Sequence, residues 1–180
     1  MNTLPVYTIW FTGLPSSGKS TIAALLAKRL KKHKIPIEIL DGDVIRKYLW
    51  SNLGFTKKDR IINLKRTVFL AKLLTRNGIF TIVSFVSPYR SVRLYARRQL
   101  KCFIEVYIKC PIEICIKRDV KGLYKKALKG ELSNFTGVSH PYEEPEKPEI
   151  TIETNKLIPE ESVKKITEFL KRRLTSLVEY

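Results

Sequence analysis

Eight residues, Gly13-Leu14-Pro15-Ser16-Ser17-Gly18-Lys19-Ser20, constrain this chain more than any other stretch. They satisfy G-x-x-x-x-G-K-[ST]. They lie between a continuous β-rich run, 6–12 (VYTIWFT), and a segment from Lys19 to Lys32 in which Ile22, Ala23, Leu25, Leu26 and Leu30 recur at helical spacing. Strand, tight loop and helix in that order make a phosphate cradle. Glycines at both ends let the loop curl so that successive backbone N–H groups point inward, and the helix N-terminus adds positive potential. Lys19 supplies a charge for the β- and γ-phosphates of ATP, Ser20 a hydroxyl for Mg²⁺, and Thr21 a contact for the α-phosphate. Gly13, Leu14, Pro15, Ser16, Ser17, Gly18, Lys19, Ser20 and Thr21 are the candidate nucleotide-binding residues.

The rest of the chain continues the alternation. Strands are expected at 36–40, 79–85, 103–109 and Ile150–Glu153. Helices are expected from Lys57 to Arg76 behind a Thr56 cap, from Tyr89 to Leu100, from Pro111, and from about Pro159. That pattern predicts a three-layer α/β fold, a parallel sheet of about five strands flanked by helices, with ligand sites beyond the carboxyl ends of the strands. At 180 residues a single domain is expected. Lys121 to Glu149, with three Gly, three Pro and several charges, breaks the rhythm and reads as a mobile lid.

The loop does not reveal the group that receives a phosphate, because the same device serves many chemistries. Leu40-Asp41-Gly42-Asp43 ends the second strand, and residues two apart on an extended chain face the same way, so both carboxylates are expected to face the loop. One would accept a proton from an acceptor hydroxyl and the other would hold Mg²⁺. Gly42 is expected to permit a sharp exit from the strand. Arg46, Arg60 and Arg66 follow on helical pieces and offer planar forks for phosphate or sulfate, while Phe55, and Phe135 in the lid, offer faces for a base.

Lys+Arg 34 against Asp+Glu 17 leaves a net charge of +17, which calls for an acidic partner without choosing among nucleotide, nucleic acid and membrane surface. Clusters such as Arg93-Arg97-Arg98 and Lys171-Arg172-Arg173 prompt a basic nucleic-acid-binding NTPase as one rival. The charge is dispersed over every helix and no recognition motif accompanies it, so no nucleic-acid partner is expected. No apolar stretch approaches the ~18 residues of a membrane span, and Met1 to Pro5 lead into a strand without a signal pattern, so the expected compartment is the cytoplasm. Cys102, Cys110 and Cys115 form no CxxC pair and are expected to act as small core residues.

Six segments, GLPSSGKST (13–21), LDGDVIR (40–46), GFTKKDRIINLKR (54–66), SFVSPYRSVR (84–93), VYIKCPIEICIKRDVKGLYKKA (106–127) and FTGVSHPYEEPEKPEI (135–150), resemble those of the adenylyl-sulfate kinases in order and spacing. The resemblance implies a P-loop kinase that moves the γ-phosphoryl group of ATP to the 3′-hydroxyl of adenosine 5′-phosphosulfate (APS), with Mg²⁺, in sulfate assimilation. It also implies a homodimer. It places Arg46, Arg60, Asn63 and the Val86-Ser87 backbone around the acceptor, Phe55 and Phe135 on either side of its adenine, and Lys121 nearby. Lys19 joins the catalytic set, Asp43 is assigned to the 3′-hydroxyl, and Asp41 with Ser20 to the metal. Ser87 matches a serine credited in the family as a transient phosphate acceptor, although in-line transfer needs no covalent stop and no base adjoins it in sequence. Ser16 stands where many relatives have Gly, and Ser139-His140 where an acidic residue is commoner. Another P-loop kinase, acting on a nucleoside monophosphate or a sugar acid, is the rival within the class; it leaves the lid motif unexplained.

Overall fold

A computed structural model describes residues 5–175; Met1 to Leu4, part of the lead-in considered above, lie outside them. The elements are β1 (Thr8–Thr12), α1 (Lys19–Lys32), β2 (Ile37–Asp41), α2 (Gly42–Tyr48), α3 (Lys57–Arg76), β3 (Phe80–Ser84), α4 (Arg90–Gln99), β4 (Phe103–Lys109), α5 (Ile112–Arg118), α6 (Leu123–Leu128), β5 (Ile150–Glu153) and α7 (Pro159–Thr175). The strands form one parallel sheet in the order β2-β3-β1-β4-β5, so the strand that feeds the phosphate loop is central.

Side-chain alternation explains the three layers. Ile9 and Phe11 of β1 point to one face and pack with Ile22 and Leu26 of α1 and Val163 and Ile166 of α7. Trp10 points to the other face, among Leu64 and Val68 of α3 and Val92 and Ala96 of α4. All three strand residues are fully buried, which contributes roughly 2 kcal/mol each. β1 and β3 are buried along their whole length, whereas the edge strands β2 and β5 alternate with solvent. A third cluster, Cys110, Cys115 and Tyr124 with Leu14 and Phe135 against it, joins the phosphate loop to the lid. The thiol of Cys115, fully buried there, is pushed up to about 12, which makes it an inert core group as expected.

Local signals place the long helix. The Thr56 hydroxyl accepts the Asp59 N–H at 3.2 Å and donates to the Asp59 carboxylate at 2.7 Å, a cap worth about 1 kcal/mol. Asn77 and Gly78, the latter at φ 80°, stop the same helix. Among the described residues no helix is long and apolar enough to cross a membrane.

The segment 121–149 differs from the single irregular lid expected from its composition. Its first part holds a short helix, α6, whose N-terminus is tied down by the Asp119 carboxylate accepting from the N–H groups of Tyr124 and Lys125 at 3.0 Å each. Its last part is a strap laid along α4. The Arg90 N–H donates to Glu143 at 2.7 Å, the Arg90 side chain donates to the Glu144 carbonyl at 2.7 Å, and Arg97 forks onto both oxygens of Glu149 at 2.5 and 2.8 Å. With Arg93 paired to Glu105 at 2.7 Å as well, two of the three arginines of the basic cluster Arg93-Arg97-Arg98 are neutralised within the molecule. Burial raises the Glu149 pKa, but the Arg97 fork and the Glu105 N–H outweigh it and hold the carboxyl below its ordinary value.

Candidate active site

A cavity of about 840 Å³ opens at the carboxyl ends of the strands, bounded by the phosphate loop, α2, α3, the residues after β3 and the lid. Gly13 has φ 152°, a backbone conformation that residues with a side chain rarely adopt, and a Cβ there would come within 2.4 Å of the Ile108 carbonyl, so both backbone and packing call for glycine. Gly18 is left-handed at φ 99°. Ser16 is left-handed too, at φ 59°, which costs a serine roughly 1 kcal/mol relative to glycine.

Lys19 lies over its own loop rather than reaching outward. It is 8% exposed, and its ammonium donates to the carbonyls of Gly13 at 3.0 Å and Leu14 at 2.6 Å and to the Ser17 hydroxyl at 3.3 Å. Burial lowers its pKa to about 8. The loop thus stores a positive charge that has carbonyl dipoles but no carboxylate in contact, and an arriving polyphosphate would supply the missing counter-charge.

Both acidic residues line the cavity, but the reason differs from the two-residue alternation of a strand. The strand ends at Asp41, which caps α2 by accepting the Asp43 N–H at 3.0 Å and also accepts the Ser20 hydroxyl at 2.8 Å. Asp43 sits in the first turn of α2 and pairs with Lys121 from the lid. Gly42 gives room rather than a sharp exit: a Cβ there would press on the Phe85 ring at 3.3 Å and the ring would have to give by a few tenths of an ångström.

The far wall is built from α2 and α3. Arg46 donates to the carbonyls of Leu53 and Gly54 at 3.1 and 2.9 Å, and with the Asn63 amide oxygen turned toward it donates to that oxygen at 3.1 and 3.2 Å. Arg60 donates to the Phe55 carbonyl at 3.0 Å and, across to the lid, to the Asn134 carbonyl at 2.6 Å. Both guanidiniums lie against the Phe55 ring, at 4.6 and 5.4 Å from its centre, yet that ring stays 56% exposed in the cavity. Burial lowers the pKa of both arginines. Phe135 reaches the cavity from the lid and stacks edge-on against Tyr124 at 5.0 Å. Arg66 is not brought here; it lies over Trp50 on the outer side of α3.

Val86 and Ser87, just beyond β3, complete this side. Ser87 is left-handed at φ 46° and 1% exposed, and its hydroxyl accepts the Trp10 indole N–H at 3.0 Å. That hydroxyl is held from the core side by the indole, while Ser87 as a residue lines the cavity. The Ser139 hydroxyl accepts the Phe135 N–H at 3.0 Å and His140 meets the Tyr89 hydroxyl at 2.5 Å, so the two departures in the lid motif fold and dock that turn.

Sequence reasoning missed the end of the cavity beyond Gly18. Thr154 donates to the Ser17 carbonyl at 2.9 Å, and Arg118 donates to the Thr154 carbonyl at 2.6 Å, with Asn155 and Leu157 alongside. The available signal was positional, because Thr154 and Asn155 directly follow β5 at the same edge of the sheet.

A phosphate loop on the central strand of a parallel sheet, facing carboxylates and arginines across one cavity, defines a P-loop kinase of the small-molecule class. Comparison with known proteins narrows this. The family model described as adenylylsulphate kinase matches residues 6–153. An adenylyl-sulfate kinase from Halothermothrix orenii is 49% identical over 92% of this chain and 90% of its own, and a probable adenylyl-sulfate kinase from Pyrococcus abyssi is 48% identical over 86% and 89%. Among solved structures, the Mycobacterium tuberculosis APS kinase in complex with AMPPNP and APS superposes with a TM-score of 0.89 at 36% identity, covering 93% of this chain and 98% of that one. A gluconokinase from Sinorhizobium meliloti, at 16% identity and a TM-score of 0.63, shares the fold alone. The chain belongs to the adenylyl-sulfate kinase family.

Proposed function

We propose that this cavity transfers the γ-phosphoryl group of ATP to the 3′-hydroxyl of adenosine 5′-phosphosulfate, releasing ADP and 3′-phosphoadenylyl sulfate. The observation that carries the reading is the pair Arg46 and Arg60. Each is hydrogen-bonded to neutral oxygens, and they flank an exposed phenylalanine ring opposite a phosphate loop. Such a wall suits an acceptor with an anionic group beside an aromatic base. The Mycobacterium tuberculosis relative was solved with an ATP analogue and APS together, which supports the same pairing of substrates here.

The polyphosphate of ATP lies along Gly13–Thr21, and its base extends toward Arg118, Thr154 and Asn155. APS lies between Phe55 and Phe135, with Arg46, Arg60 and Asn63 at its anionic end and the Val86-Ser87 main chain beneath. Asp43 accepts the 3′-hydroxyl proton as that oxygen attacks the γ-phosphorus and the bond from phosphorus to the β–γ bridging oxygen breaks. Lys121 orients the Asp43 carboxylate, and Lys19 turns from its own carbonyls to the β- and γ-phosphates, where it offsets the charge left on ADP. Ser20 and Asp41 fit Mg²⁺, being hard oxygen donors held together on the wall beside the loop. Bound there, the ion would neutralise phosphate charge.

ADP release from purified protein with Mg·ATP tests this, comparing APS with AMP, CMP, gluconate and no acceptor. Turnover with APS alone, giving 3′-phosphoadenylyl sulfate, is expected. Turnover with another acceptor in its place would discard the acceptor assignment.

A further inference from the structure

The Val86-Ser87 turn is gripped from behind by side chains that do not line the cavity. The Thr12 hydroxyl lies 2.8 Å from the Val86 carbonyl and 2.8 Å from the Tyr142 hydroxyl. A hydroxyl has one proton to give. Thr12 gives its proton to Val86, so Tyr142 must donate to Thr12, and a directed relay runs from the strap through β1 to the turn. Arg93 grips the next carbonyl. One of its terminal nitrogens donates to Ser87 at 2.5 Å, the other to the Glu143 carbonyl at 2.6 Å, and Nε lies 2.7 Å from a Glu105 oxygen.

Thr12, Arg93 and Glu105 are buried, Arg93 at 3% exposure, Tyr142 is half-buried, and none of the four borders the cavity, whereas Val86, Ser87 and Pro88 do. A buried ion pair is a poor device for stability alone, since apolar residues of the same volume often do as well. What it supplies is direction. Ser87 is held in a left-handed conformation that serine adopts only when its surroundings impose it. No peptide in the described chain is cis, so fixing the Val86 carbonyl on Thr12 aims the Ser87 N–H of the same peptide the opposite way.

We propose that Tyr142, acting through Thr12, and Arg93, braced by Glu105, are positioning residues that hold the Val86-Ser87 main chain against the acceptor and so set acceptor affinity. This rests on the reading that the turn faces APS. It makes the acidic strap part of the acceptor site, although no strap side chain in the relay touches the cavity.

The test uses Tyr142→Phe and Thr12→Val, which keep shape and remove one donor each, together with Arg93→Lys. Steady-state KM for APS and for ATP, thermal midpoint, and calorimetric binding of APS and of an ATP analogue are measured on the full chain. The KM and Kd for APS are expected to rise about tenfold with those for nucleotide within about twofold, as a small misplacement of a positioning group would give. The double variant Tyr142→Phe/Thr12→Val should be no worse than Thr12→Val alone, because both break one relay. A lowered midpoint with APS affinity unchanged would overturn the proposal and leave a purely structural role, and an equal rise for both substrates would overturn it as general distortion. Should Arg93→Lys fail to fold, Tyr142→Phe still decides. Wild-type protein that binds the ATP analogue but not APS would overturn the proposed function and this inference with it; wild type that binds APS, with variants that match it, overturns the inference alone.

Discussion

Two groups of arginines sit about the same lid and do opposite things. Arg46 and Arg60, on α2 and α3, donate to carbonyl and amide oxygens beside an exposed aromatic ring. Arg93 and Arg97, on α4, are paired with Glu105 and Glu149. The first pair carries charge awaiting an anion; the second has spent its charge inside the protein. Net charge cannot separate them, and their partners can. The difference also weakens the nucleic-acid rival, because part of the basic surface that suggested it is an internal clamp.

The largest effect that would sharpen this contrast lies next to the first pair. Asp43→Ala should lower kcat by about 10²- to 10⁴-fold, the usual range for a lost general base, while ATP binding and thermal midpoint stay near wild type. Lost ATP binding in a folded variant would remove Asp43 from that role. Arg46→Met should weaken APS binding by about 2 kcal/mol, as expected for a charge-assisted contact made only with ligand, with a smaller loss of stability of about 1 kcal/mol from its hydrogen bonds to neutral oxygens. A fall in stability equal to the fall in affinity would put Arg46 with the clamp instead.

Glu149→Gln should do the reverse, lowering stability in denaturant by about 1 to 2 kcal/mol while APS and ATP affinities hold. The Glu149 pKa is lower in the folded chain than its ordinary value, so the unfolded state binds the proton more readily. Its contribution is present above the ordinary glutamate range and fades as pH falls through the folded value, and the variant should lack that acid-side dependence. Nucleotide binding should titrate on the alkaline side. With the Lys19 pKa near 8, ATP affinity measured from pH 7 to 9 should fall by up to about tenfold as the ammonium is lost. A flat profile would mean that Lys19 remains charged in its loop. Phe55→Ala should weaken APS binding by about 1 kcal/mol and leave ATP unaffected, the smallest effect of the series; equal weakening of both would place the ring elsewhere.

Much of the fold was legible because its signals are local. The phosphate loop lies between its strand and helix, α1 runs from Lys19 to Lys32, and α3 from Lys57 to Arg76 behind Thr56, all where period and caps placed them. The carboxylates, Arg46, Arg60, Phe55 and Phe135 were named as candidates before any geometry, and the cavity gathers them. What escaped depends on partners far away in the chain. The strap reads as part of a mobile lid until α4 lies beside it. Ser87 reads as a free hydroxyl until Trp10, 77 residues earlier, takes it. Asp43 lines the cavity from the first turn of α2 and not from an alternating strand, since a strand that turns into a helix at Gly42 looks in sequence like a strand that simply ends.

The hydrogen bond between Thr12 and Tyr142 spans 130 residues of chain, and this separation has a consequence for how the enzyme comes into being. Contacts between distant segments wait for a large loop to close, so they form late in folding and slow it. During synthesis the loop, α1, β2 and β3 emerge long before the strap does. A nascent chain released only as far as β4 has already made the segments of its phosphate cradle but lacks the clasp on its acceptor side, so the two halves of the reaction are acquired at different times.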